Sequence, residues 1–123
     1  MTPAGVLGEP APGPYTQGGT ATNTPGTPIK SQIVGLVFET NTITAKAGEK
    51  VTIDFTNCSF AHAFVSPSLG VDTKVDIPAG SPLTEVSFTA PTTPGKYMFW
   101  CPVTPPGGLS HAARGETGIV IVQ

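Results

Sequence analysis

Apolar and polar residues alternate in short runs along most of this chain. Val51, Ile53 and Phe55 are interleaved with Thr52, Asp54 and Thr56, and Val86 and Phe88 repeat the same spacing within Leu83 to Ala90. Successive side chains of a strand point to opposite faces, so a period of two predicts strands buried on one side. Further strands are predicted over Ile33 to Phe38, Asn41 to Ala47, Ala61 to Val65, Lys96 to Cys101 and Thr117 to Gln123. Residues 66–82 read as a loop with one edge strand near Lys74 to Ile77. Gly48-Glu49 and Pro91 to Gly95 read as turns, and residues 102–116 as a long Pro/Gly loop. Some seven or eight short strands with regular turn signals predict an all-β fold, a Greek-key antiparallel β-sandwich of two sheets. No helix of normal length is expected.

Composition adds limits to that picture. The chain has 123 residues, of which only 11% are charged, and its net charge is -2, so nothing points to nucleic acid or an anionic membrane surface. No apolar run approaches the roughly 18 residues of a membrane-spanning helix. The first residues carry no signal peptide, and the chain reads as a mature segment with Met1 supplied for expression. Residues 1–30 are rich in Pro, Gly, Thr and Ala with little to bury. They are expected to form a flexible tether to a membrane anchor or neighbouring domain, or a trimmed linker, with the sandwich domain spanning residues 31–123.

Chemistry concentrates late in the chain. On the strand Gly95 to Cys101, Tyr97, Phe99 and Cys101 share the core face, so the thiol points inward where the strand gives way to a loop. His111 follows ten residues later, Glu116 stands just before the last strand, and His62 opens an earlier one. The chain holds only two histidines and two cysteines, Cys58 being the other. One reading pairs Cys58 with Cys101 in a disulfide. The other gathers His62, Cys101 and His111 at one end of the sandwich, and two imidazoles with one thiolate are the donors of a type 1 copper site.

The motifs resemble those of the plastocyanin–azurin (cupredoxin) family over nearly all of residues 32–123. Asn57-Cys58-Ser59-Phe60-Ala61-His62 is similar to the family's Asn, four residues, His. Gly95, Tyr97, Phe99 and Cys101 match its Gly-x-Tyr-x-Phe-x-Cys, and His111 to Gly118 its His-x-x-x-Gly-Met-x-Gly. Gly48-Glu49-Lys50-Val51 resembles its Gly-Asp-x-Val turn. The resemblance implies one copper ion per chain, bound by His62, Cys101 and His111. Glu116 replaces the axial Met, and either its carboxylate or the Ala61 carbonyl is the axial donor, or Glu116 swings away and the ion is three-coordinate. Met98 has the wrong parity to serve. Ala63 replaces the usual Asn, removing a hydrogen bond between ligand loops, and the loop Pro102 to Ser110 is longer than usual for the family. A hard carboxylate oxygen favours Cu(II) and lowers the potential.

The function so implied is single-electron transfer outside the cytoplasm, periplasmic or extracellular, by a monomer that is not an enzyme. Its partner is a redox protein such as a cytochrome or an oxidase. Electrons are expected to leave through His111, behind an apolar patch of Pro105, Pro106, Leu109 and Ala112, with Trp100 as a second route. The alternative is a copper site of the red nitrosocyanin type, with an open position for a small molecule. A metal-free structural sandwich is a third reading.

Overall fold

A computed structural model describes residues 13–57, 60–80 and 82–123 of the chain. Cys58 and the first twelve residues of the expected tether lie outside them. The described residues form ten strands: β1 (Gly19–Thr22), β2 (Ile29–Val34), β3 (Val37–Phe38), β4 (Thr40–Ala45), β5 (Lys50–Asn57), β6 (His62–Ser66), β7 (Val71–Ile77), β8 (Thr84–Thr89), β9 (Gly95–Trp100) and β10 (Thr117–Val122). Six of them make one sheet, in the order β1-β4-β10-β9-β6-β7, and four make the other, β3-β2-β5-β8. No helix among the described residues is long and apolar enough to cross a membrane.

The alternation read from the sequence becomes the core. Along β5 the buried positions are Val51, Ile53, Phe55 and Asn57, with the residues between them turned outward. Between the sheets, Phe38, Phe55, Phe64, Phe88 and Phe99 pack in tilted and stacked pairs whose ring centroids lie 5.0 to 6.5 Å apart. Such aromatic clusters bury large areas and favour these geometries. Gly118 of β10 sits under this cluster, where a Cβ would lie 2.2 Å from the Phe99 ring, so no larger residue fits.

Three details differ from the sequence reading. The expected strand Ile33 to Phe38 is two strands, because Gly35 takes a left-handed φ of +58° and reverses the chain. The sheets are mixed rather than purely antiparallel, since β1–β4, β4–β10 and β2–β5 pair in parallel. The chain crosses repeatedly between sheets, so strands distant in sequence become neighbours running the same way. The third difference concerns the tether, for residues 13–30 are built into the sandwich. β1 adds to the edge of the larger sheet, and β2 starts at Ile29, which is buried. The segment before β1 is held by polar contacts: Asn41 donates to the Thr16 carbonyl at 2.9 Å, and the Gly18 amide donates back to Asn41 Oδ1 at 2.8 Å. A segment anchored by hydrogen bonds has little apolar signature, which is why composition read it as unfolded.

Candidate metal centre

Three neighbouring strands of the larger sheet deliver the candidate ligands to one end of the sandwich. His62 is the first residue of β6, Cys101 follows the last residue of β9, and Glu116 precedes β10. Because β9 runs antiparallel to both β6 and β10, Trp100 pairs with Thr117 at the start of β10 and with Val65 of β6, and the chain leaving β9 heads toward the His62 end. His111 is brought back to them by the loop after β9. Its amide donates to the Val103 carbonyl at 2.8 Å, and the Ala112 amide donates to the Cys101 carbonyl at 3.0 Å. A single 3-10 turn, Ala112–Arg114, then leads to Glu116, whose amide donates to the His111 carbonyl at 3.0 Å. The long loop therefore has fixed ends.

His62, Cys101, His111 and Glu116 are all buried, and one ligand atom from each lies within 4.8 Å of all the others. Glu116 Oε1 is 2.8 Å from His62 Nδ1 and 3.3 Å from His111 Nδ1, while Cys101 Sγ is 3.4 Å from His111 Nδ1. The thiol is free and accepts a hydrogen bond from the Ala63 amide at 3.4 Å. The second carboxylate oxygen, Glu116 Oε2, is buried with no partner. Burial, reinforced by the Glu116 charge, pushes the Cys101 thiol up to about 12. Burial also lowers the His111 pKa, against the pull of Glu116.

These features fit a metal ion. A thiol with so high a pKa stays protonated at neutral pH unless a cation lies beside it, and metal binding deprotonates such thiols outright. An unpartnered buried carboxylate oxygen is costly for the same reason and is relieved by a cation. Two imidazoles and a thiolate suit copper, with the carboxylate as a harder fourth donor. Met98 is buried on the outer face of β9 against Ile119, away from Cys101, as its parity implied.

The surroundings were less legible. Phe60 is 47% exposed, yet its ring lies 4.9 Å from that of His62 and 5.5 Å from that of His111. The only sequence signal for it was an apolar residue in an otherwise polar loop. His111 opens on a pocket of about 410 Å³ lined by Leu36, Phe60, Ala61, Val103, Pro105 and Arg114. The apolar patch expected around His111 is corrected in part: Leu109 is exposed and Pro105 lines the pocket, but Ala112 is only 2% exposed. Ala112 is turned under the backbone by its bond to Cys101, and Phe60 and Leu36 supply the apolar surface instead.

No protein-family model and no curated protein sequence matches the chain. Solved structures do. Auracyanin B is 22% identical with a TM-score of 0.59, over 86% of this chain and 96% of that one. Auracyanin A, a "blue" copper protein from Chloroflexus aurantiacus, is 20% identical with a TM-score of 0.58, over 85% of this chain and all of that one (100%). The periplasmic domain of cytochrome oxidase subunit II from Bradyrhizobium japonicum is 17% identical with a TM-score of 0.57, over 82% and 86%. At these identities the likeness establishes architecture: the chain has the cupredoxin fold.

Proposed function

We propose that this protein would hold one copper ion between His62, Cys101 and His111, with Glu116 as a fourth donor, and transfer single electrons outside the cytoplasm. The observation that carries this reading is the convergence of those four buried donors within 4.8 Å of one another. The likeness to a blue copper protein and to a periplasmic oxidase domain supports the electron-transfer role, the location and a redox-protein partner. When bound, copper supplies one-electron cycling between Cu(I) and Cu(II).

The chain's own part is to keep the donors still. His62 and Cys101 are fixed by strands, and backbone hydrogen bonds hold His111 and Glu116 from both sides. Phe60 covers both imidazole rings and keeps water from them, while the His111 side of the pocket gives a partner close approach. That pocket also favours a second reading, in which a small molecule reaches the copper and the site is catalytic. Attachment to a membrane or a neighbouring domain through residues 1–12 belongs to the same proposal.

Titration with Cu(II) tests the reading. One equivalent should bind and give an intense thiolate-to-copper absorption that Cys101→Ser abolishes and Cys58→Ser keeps. Binding without that band, or a band surviving Cys101→Ser, refutes the ligand set. A change in the EPR spectrum on adding azide favours the second reading.

A further inference from the structure

The segment before β1, Gly13 to Gly18, crosses the ligand loop and touches the residue after each of its two ligands. Gly13 packs so tightly on the backbone beyond His111 that a Cβ there would lie 2.0 Å from the Ala112 carbonyl oxygen. One residue on, the Pro14 carbonyl accepts a hydrogen bond from Thr117 Oγ1 at 2.7 Å, and Thr117 follows Glu116. Thr117 is 1% exposed, so its hydroxyl has no easy substitute partner in water.

The strap is itself anchored on the body of the sheet. Tyr15 shares a hydrogen bond with Thr42 Oγ1 at 2.5 Å, and its ring packs on the Met98 and Ile119 cluster. Asn41 binds both Thr16 and Gly18 through its side chain. β1 then continues the chain along β4, the strand beside β10. The loop His111 to Glu116 thus lies between the β9 end, which bonds it from one side, and a strap pinned to β4, which holds it from the other.

We infer that this strap is a positioning latch: it sets the placement of His111 and Glu116 by clamping Ala112 and Thr117. Its importance for a metal rests on the copper reading above, but the clamp itself does not. In most of the fold a lost surface hydrogen bond loosens its immediate neighbourhood only. Here the loosened neighbourhood contains two donors on one short loop.

The test uses the full metal-free chain and native-state hydrogen exchange, so that its failure is separable from any failure of the copper reading. Thr117→Val removes the hydroxyl at nearly constant volume, Thr117→Ser restores it, and Gly13→Ala forces the strap away from Ala112. The amides of Gly115 and Glu116, hydrogen-bonded within the loop, and of Ala112, bonded to the Cys101 carbonyl, report on the clamp, and those of the β5–β8 pair report on the sandwich as a whole. Thr117→Val and Gly13→Ala should speed loop exchange about fivefold to thirtyfold, the effect of losing one or two kcal/mol of restraint. The β5–β8 amides should change much less, and Thr117→Ser should exchange like the parent. With Cu(II) added, the same two variants should broaden the EPR spectrum. Equal acceleration in the loop and in β5–β8 would reduce Thr117 and Gly13 to general stability, and unchanged loop exchange would remove the latch altogether.

Discussion

Asn57 is the residue whose replacement most directly tests how the His62 side of the site is held. It ends β5, is fully buried, and its Nδ2 donates to the Phe60 carbonyl at 3.0 Å and to the Ile77 and Pro78 carbonyls at 3.1 Å each. One amide nitrogen carries two hydrogens, so two of these three bonds form at any moment. At about 1 kcal/mol net each, Asn57→Ala loses about 2 kcal/mol of bonding. The Ile77 carbonyl is then left buried without this donor, at a cost of about 1–2 kcal/mol more. The sum, about 3–4 kcal/mol, corresponds to a fall in Tm of roughly 10–20 °C for a domain of this size. Thermal unfolding of the metal-free chain measures it. Thr52→Ala, which removes only the exposed Thr52–Ser87 hydrogen bond at 2.9 Å, is the comparison and should stay within about 0.5 kcal/mol. If the two variants melt within a few degrees of each other, the view that Asn57 ties the Phe60–His62 turn to the end of β7 is wrong. If Asn57→Ala melts early, its copper complex should also bind more weakly than that of Thr52→Ala, because Phe60 and His62 share the released turn.

Two further predictions concern the donors themselves. Glu116→Met should raise the reduction potential by on the order of 100 mV, since one unit of negative charge within about 4 Å of the metal is worth a few kcal/mol at an effective dielectric of about 20; voltammetry at low and high salt checks it, and a shift of a few millivolts that fades with salt would take Glu116 out of the coordination sphere. The metal-free chain should be most stable between about pH 6.5 and 9: the lowered His111 pKa gives stability that is lost as pH falls below the usual histidine value of 6.5, and the raised Cys101 pKa gives stability that is lost as pH climbs from 9.0 toward 12. Denaturant melts across pH, with Cys101→Ala flattening the alkaline limb and His111→Gln the acid limb, measure both.

The sandwich was legible because its strands alternate cleanly: the apolar inward residues Val51, Ile53 and Phe55 of β5 and Val86 and Phe88 of β8 follow from the period of two, while the inward polar Asn57 does not. His62, Cys101 and His111 were legible because histidine and cysteine are scarce in this chain, whereas Glu116 stood out only through the resemblance of His111 to Gly118 to the family's last motif. Features resting on backbone carbonyls were not. Pro14 accepts from Thr117, and Thr16 accepts from Asn41, through main-chain atoms that every residue possesses, so no side-chain pattern marks them. Phe60 escaped for a related reason. A single apolar residue in a loop usually needs no explanation, and only the juxtaposition of two histidine rings gives its exposed face a role. The parallel pairings were hidden because alternation fixes which face a residue takes and leaves the neighbouring strand undetermined.

The arrangement of the candidate donors explains how one sandwich can serve as a rigid cage despite a long loop. His62 opens β6 and Cys101 directly follows β9, its neighbour in the sheet, and a sheet resists shear between hydrogen-bonded neighbours. His111 and Glu116 share a loop from Pro102 onward whose length would, if free, allow each to wander. Length matters only between fixed points, however, and the bonds from His111 to Val103, from Ala112 to Cys101 and from Glu116 to His111 divide the loop into short closed segments. The span Thr104 to Leu109 is a turn closed by the Gly108 amide donating to the Pro105 carbonyl at 3.1 Å, and apart from Pro105 it is exposed and carries Leu109 rather than a candidate donor. Added residues there would change the surface beside His111 without moving the four candidate donor atoms. Surface shape and site geometry are therefore separable in this chain: the exposed Leu109 is free to vary for the first, while Gly107 is held by a left-handed φ of +71° and Ala112 and Thr117 are constrained by the second.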